Sequence, residues 1–291
     1  MRLAAALFWA VLLLATGCST KRAEAPPDQP RLTPNVVMQD VMFHSTALDR
    51  DMPYRVVLPR NIGPGKKLPV VYLLHGGGSN FRAWSNDSNV ARFAESGLIL
   101  VMPEGNSSYY TNSASQPQDR YEDYIVRDLV SDVETRFPAA AARDSRAVIG
   151  VSMGGFGTIN LALKHPDLFA FAGALSPAVD VPSRPFSAKR TEQWQRHNSI
   201  FGPWGSKTRH DNDPFVLAAL ADVSKTPYLF VTCGEQEGLL PANRKFAALL
   251  SQRHFRYEFQ TTAGDHNFNQ WNAWLPTVFQ SLFQHITRQL T

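Results

Sequence analysis

Cysteine is nearly absent: the 291 residues include only Cys18 and Cys233. Two thiols cannot build a disulfide scaffold or a four-thiolate zinc site. No His-Glu-x-x-His occurs, and His210-Asp-Asn-Asp213 reads as a helix start before Pro214 rather than as a metal site. A dominant charge is missing too, since 29 Lys and Arg stand against 25 Asp and Glu, a formal +4. So small and scattered an excess excludes the electrostatic footprint of a nucleic-acid binder. There is no internal repeat, and no apolar run beyond residue 17 approaches the ~20 residues of a membrane-spanning helix. What remains is ordinary globular composition, 44% hydrophobic and 19% charged. A chain of this length can bury a core without covalent staples.

The first seventeen residues stand apart. Arg2 precedes an apolar run, Leu3 to Thr16, too short for a permanent span, which reads as a signal peptide over residues 1–17. The run ends Ala15-Thr16-Gly17-Cys18. These small residues before a lone cysteine resemble the lipobox of bacterial lipoproteins, which implies that Cys18 is lipidated and becomes the first mature residue. The resemblance implies attachment to the bacterial cell envelope, with the outer membrane facing the periplasm favoured because Ser19 is not the aspartate that retains lipoproteins in the inner membrane. Residues 18–34 contain four prolines and little to bury, so they read as a flexible tether leading to a single domain over 35–291.

From Val36 the chain alternates strand-like and helix-like patterns. Val36–Ser45 and Pro53–Pro59 flank the polar turn Leu48-Asp-Arg-Asp51 and predict a hairpin. Short apolar runs at Val70–Leu74, Leu98–Met102, Ala147–Val151, Phe169–Leu175 and Tyr228–Thr232 predict strands buried on both faces, the mark of a parallel sheet. Helical spacing occupies Tyr121–Phe137, Gly155–Lys164 and Pro241–Arg253. Arg256–Thr262 reads as the last strand, and Asn269–Leu290 as a closing helix broken near Pro276. This alternation predicts a doubly wound α/β fold with its chemistry at the carboxyl ends of the strands. Val179–Pro214, rich in Pro, Arg and Trp, reads as an insertion over the site.

The strongest chemical signal is Gly150-Val-Ser152-Met-Gly154, placed where a strand turns into a helix. Such an elbow exposes a strained serine, and its glycines avoid collisions with the neighbouring strand and helix. A serine hydroxyl needs a base. His44 and His75 precede Ser152, His165 ends the nucleophile's own helix, His197 and His210 lie in the insertion, and His254 and His285 belong to helices. His266 remains, in a loop after the last strand. The acid should leave the penultimate strand, where Glu235 and Glu237 compete; Asp265 is too close to His266 in sequence to reach its far nitrogen easily. Cys233 reads as a small buried filler. Oxyanion donors are expected from the Met153 amide and from the loop His75-Gly-Gly-Gly-Ser79.

Together, Val57-Leu-Pro59, Leu74-His-Gly76, Tyr121-Glu-Asp-Tyr124, Gly150-Val-Ser-Met-Gly-Gly155, Cys233-Gly234 and Gly264-Asp-His266 with Trp271 carry a resemblance. The chain resembles the esterase D and tributyrin-esterase group of α/β-hydrolases, whose relatives include feruloyl and acetylxylan esterases and mycolyltransferases. The resemblance implies an α/β-hydrolase fold, a mostly parallel sheet with helices on both faces. It also implies Gly77 as the second oxyanion donor and the acid at position 237. Where that group commonly has an aspartate this chain has Glu237, whose extra methylene demands a small backbone adjustment.

The expected activity is that of a serine esterase using Ser152, His266 and Glu237, with no cofactor and no metal. The expected partners are a small-molecule ester or acylated sugar and, through the N-terminal lipid, a membrane. Two rivals use the same residues differently: an acyltransferase, in which an alcohol replaces water, and an envelope binding protein that has lost catalysis.

Overall fold

A computed structural model describes residues 27–287. The expected signal peptide and Cys18 lie outside the described residues. Eight strands form one sheet: β1 (Val36–Ser45), β2 (Arg50–Pro59), β3 (Val70–Leu74), β4 (Ile99–Pro103), β5 (Arg146–Val151), β6 (Phe171–Leu175), β7 (Tyr228–Gly234) and β8 (Tyr257–Thr262), in the order β1-β2-β4-β3-β5-β6-β7-β8. β2 is antiparallel to both β1 and β4, while every pairing from β4 to β8 is parallel. The sheet is thus mostly parallel and carries helices on both faces, the α/β-hydrolase fold the sequence leads one to expect.

Burial explains the pattern. All residues of β3, β4, β5 and β6 are buried, as continuous apolar runs require. β1, at the sheet edge, alternates toward its end, with Val41, Phe43 and Ser45 facing in. On one face the core joins Tyr72, Leu74 and Val148 to Leu129, Ile159, Leu161 and Phe246 from the covering helices. On the other, Leu73, Ile149 and Phe230 meet Trp274, Leu275, Val278 and Phe279 of the last helix. A smaller cluster of Phe156, Ala178, Val181, Ile200 and Phe201 seats the insertion.

Three expectations need correction. The last helix runs unbroken over Phe268–His285 with Pro276 inside it. Proline removes one backbone bond there, but the helix buries Trp271, Trp274, Leu275, Val278, Phe279 and Leu282, and that packing outweighs the lost bond. The helix expected over Tyr121–Phe137 is three consecutive segments, Tyr121–Asp123, Tyr124–Leu129 and Val130–Arg136, the middle one a π turn. Finally, residues 28–34 are not free tether. Asp28 binds Arg55 through two contacts of 2.9 and 2.6 Å, and the Arg31 N–H donates to the Ser85 carbonyl at 2.7 Å. Arg55 is fully buried and its other side is held by Asp40, so a second carboxylate helps compensate a desolvated guanidinium.

Candidate active site

The parallel register aligns the ends of β3, β5, β6, β7 and β8 along one edge: Leu74 pairs with Gly150, Val151 with Leu175, Leu175 with Thr232 and Gly234 with Thr262. Each strand therefore releases its next loop beside the others. Ser152 follows β5 with φ 56° and ψ −114°, a left-handed conformation that a residue with a side chain rarely adopts. The reason lies in its flanks. A Cβ on Gly150 would stand 2.2 Å from the Gly154 carbonyl oxygen, and one on Gly154 would stand 2.2 Å from that of Leu74. The Ser152 N–H donates to the Leu175 carbonyl at 2.9 Å, which pins the turn to β6.

Ser152 Oγ lies 2.8 Å from His266 Nε2, and His266 Nδ1 lies 2.7 Å from Glu237 Oε2. The Glu237 side chain is wholly buried. Its other oxygen, Oε1, accepts from the Ser176 hydroxyl at 2.6 Å and from the Gly234 N–H at 2.8 Å. Burial pushes this carboxyl up, but the bonds from His266, Ser176 and Gly234 outweigh it and hold it below the usual glutamate value. Glu235 is exposed and only accepts from the Thr261 hydroxyl at 3.3 Å. Of the two acids the sequence left in competition, Glu237 meets the histidine.

The oxyanion candidates are equally placed. Met153 opens the helix Met153–Lys164, so its N–H has no partner within that helix. Gly77 is exposed, and a Cβ on it would come 3.9 Å from the Met153 Cβ, which sets the two backbones side by side. His75 shapes this loop. Nδ1 lies 2.8 Å from the Gly76 carbonyl oxygen, while Nε2 lies 2.9 Å from the Gly105 N and 3.2 Å from a Glu104 carboxylate oxygen. These contacts occupy both ring nitrogens, pin the loop and leave His75 no part as a base. His165 bonds Glu122, and His285 stacks on Tyr228 at 3.7 Å, both remote from Ser152. Asp213 caps the helix Pro214–Leu220, as its position before Pro214 suggests. Cys233 is buried, its thiol pushed up to about 12 by burial and then by Glu237, which suits a filler. No group of three or more His, Cys, Asp or Glu among the described residues could hold a metal ion.

Sequence reading missed Ser176. It follows β6 at φ 48°, donates to Glu237 and accepts from the Trp271 indole N–H at 3.0 Å. The available signal was its position, a polar residue at the carboxyl end of a buried parallel strand. Tyr109 was missed as well. With φ 57° it packs edge-on against Phe156 and His197, and its hydroxyl lies 3.2 Å from His197 Nε2. A cleft of about 750 Å³ opens over Ser152 and His266, walled by Tyr109 and by Trp194, His197 and other residues of the insertion.

Residues 45–282 match the protein family described as "Putative esterase". The chain is a member of this esterase family. It is accordingly a carboxylic ester hydrolase. An acetyl esterase of Caldicellulosiruptor saccharolyticus is 22% identical over 84% of this chain and 97% of its own. An endo-1,4-beta-xylanase/feruloyl esterase of Xylanibacter ruminicola is 25% identical over 85% of this chain but only 31% of its own. Among solved structures, the fluorophosphonate-binding serine hydrolase FphF of Staphylococcus aureus superposes with a TM-score of 0.74 at 26% identity, covering 87% of this chain and 99% of that one.

Proposed function

We propose that this esterase works through an acyl-enzyme on Ser152, with His266 as base and Glu237 as the acid that orients it. The observation that carries the reading is the unbroken line from Ser152 Oγ through His266 to Glu237, at 2.8 and 2.7 Å. His266 takes the serine proton as Oγ attacks the ester carbonyl, and the Met153 and Gly77 amides hold the developing oxyanion. Glu237 stabilises the imidazolium, His266 protonates the leaving alcohol, and water then releases the acid. Every group in this sequence belongs to the chain, so turnover survives a chelator. The insertion lines an open cleft, which suits esters of short acyl chains or small aromatic acids, including acylated sugars.

We also propose that Cys18 is lipidated and ties the enzyme to the bacterial envelope, on the strength of the Ala15-Thr16-Gly17-Cys18 pattern. A mature N-terminus found unmodified by mass spectrometry overturns that part alone. The test of the chemistry is a fluorophosphonate probe together with nitrophenyl esters of graded chain length. Ser152→Ala should abolish labelling and lower turnover by a factor on the order of 10⁶. Unimpaired hydrolysis by Ser152→Ala overturns the mechanism. Labelling without turnover on any ester moves the reading to acyl transfer.

A further inference from the structure

The charges around the cleft do not balance. Its lining contains Asp180, Arg184, Lys189, Arg190 and Glu237 as formally charged side chains. Glu237 is committed to His266, Ser176 and Gly234. Asp180 is committed to Arg184 by a two-pronged contact of 3.0 and 2.7 Å. Lys189 and Arg190 are left, both exposed, and neither has a carboxylate within 4.0 Å among the described residues. They stand just before the helix Thr191–Phe201, whose first turn carries the exposed Glu192 outside the cleft lining. Trp194, one turn further along that helix, meets Phe186 edge-on at 5.2 Å, so the cations border an aromatic shelf. Behind the rim, His197 is pushed down to about 4 chiefly by burial and then by Arg184, Arg209 and Arg196, against an opposing contribution from Asp180.

We propose that this rim makes the esterase charge-selective: Lys189 and Arg190 hold an ionised carboxylate carried by the substrate at a distance from the scissile ester. The favoured class is then an acidic ester, such as a half-ester of a dicarboxylic acid or an ester of a carboxylated alcohol, with its apolar part against Trp194 and Phe186. Two exposed charge contacts support a preference of about tenfold, and salt weakens it because the rim is solvated. The inference rests on the serine-esterase reading for the position of the scissile bond.

The experiment compares matched substrates in which one member carries a carboxylate and the other a methyl group. One pair is 4-nitrophenyl hydrogen glutarate with 4-nitrophenyl valerate, which places the charge in the acyl half. The other is a carboxynaphthyl acetate with a methylnaphthyl acetate, which places it in the alcohol half. The kcat/KM ratio of acidic to neutral ester should be about tenfold in at least one pair at low salt. It should fall at least threefold in the double variant Lys189→Gln, Arg190→Gln and again in 0.5 M NaCl, but not in Lys225→Gln, which removes a cation outside the cleft. Calorimetry of the intact esters on Ser152→Ala protein reads the same preference without turnover. A ratio near one in both pairs, or one unmoved by the double variant, overturns the proposal. Hydrolysis that persists in Ser152→Ala instead overturns the mechanism beneath it.

Discussion

His266, on the strand ends that floor the cleft, faces the buried carboxylate of Glu237, whereas His197, on the insertion that walls it, sits among Arg184, Arg209 and Arg196. The floor is assembled from five parallel strands whose register leaves little freedom, and its acid is fixed by three hydrogen bonds. The wall is one helix and its flanking turns, seated on a small cluster of Phe156, Val181 and Phe201. One fold therefore places two imidazoles on one cavity and gives them opposite electrostatic settings. Glu237 hydrogen-bonds the one ring at 2.7 Å, while burial first and then the arginine neighbours push the other down to about 4.

If that contrast governs activity, substitutions in the floor should cost far more than substitutions in the wall. After loss of Ser152 itself, the largest expected effect is at Glu237: Glu237→Gln should lower kcat by about 10⁴ with little change in melting temperature, measured on a nitrophenyl ester. A loss of that size in Glu235→Gln, with Glu237→Gln nearly intact, would show that the wrong carboxylate has been assigned. Next, Gly154→Ala forces a Cβ to within 2.2 Å of the Leu74 carbonyl oxygen, backbone that cannot step aside. It should destabilise the protein by about 3 kcal/mol in urea unfolding and disturb the turn at Ser152.

How far the sequence foretells this arrangement differs between the same two regions. In the floor, β3 runs over Val70–Leu74 as its apolar residues indicate, and the other strands lie within about two residues of their runs at most ends, because burial on both faces leaves a one-dimensional trace. Ser152 and His266 were nameable because each follows a particular strand, and strand position narrowed the acid to Glu235 and Glu237, between which the resemblance chose Glu237. Ser176 follows a strand too, but its role was hidden, since its partners Glu237 and Trp271 are 61 and 95 residues away and no local pattern encodes those contacts. The wall was recognisable as an insertion from composition alone, but not its aromatic facing, which depends on Tyr109 arriving from a separate loop. The unbroken passage through Pro276 escaped prediction for a similar reason. Local propensity argues for a break, and only the sheet beneath the helix argues against it.

Smaller effects sharpen the contrast. His197 has a depressed value in the folded state, so between its ordinary 6.5 and about 4 the unfolded chain binds a proton that the native wall refuses. Stability should be full above pH 6.5 and fall as pH drops toward 4, by an amount on the order of 1–2 kcal/mol from this group. His197→Gln should remove that part of the acid-side loss, seen as a smaller change in urea midpoint between pH 7 and pH 4. An unchanged midpoint difference would mean the wall does not exclude the proton. The smallest effect belongs to Glu235→Gln: an exposed carboxylate with one long contact should shift stability by less than about 0.5 kcal/mol and leave kcat within about twofold.

The clasp of Asp28 on Arg55 has a mechanical meaning. β1 is an edge strand and the one nearest the chain's N-terminal side, so a pull from that side on an unclasped chain would reach β1 first and could peel it from β2 one bond pair at a time. With Asp28 gripping Arg55, and Arg55 gripping Asp40, the load passes into β2 and β1 together before any strand bond is strained. Tension arriving at Asp28 is then met by a bidentate ion pair rather than as unzipping of the sheet, and Ser152 lies four strands inward of that point.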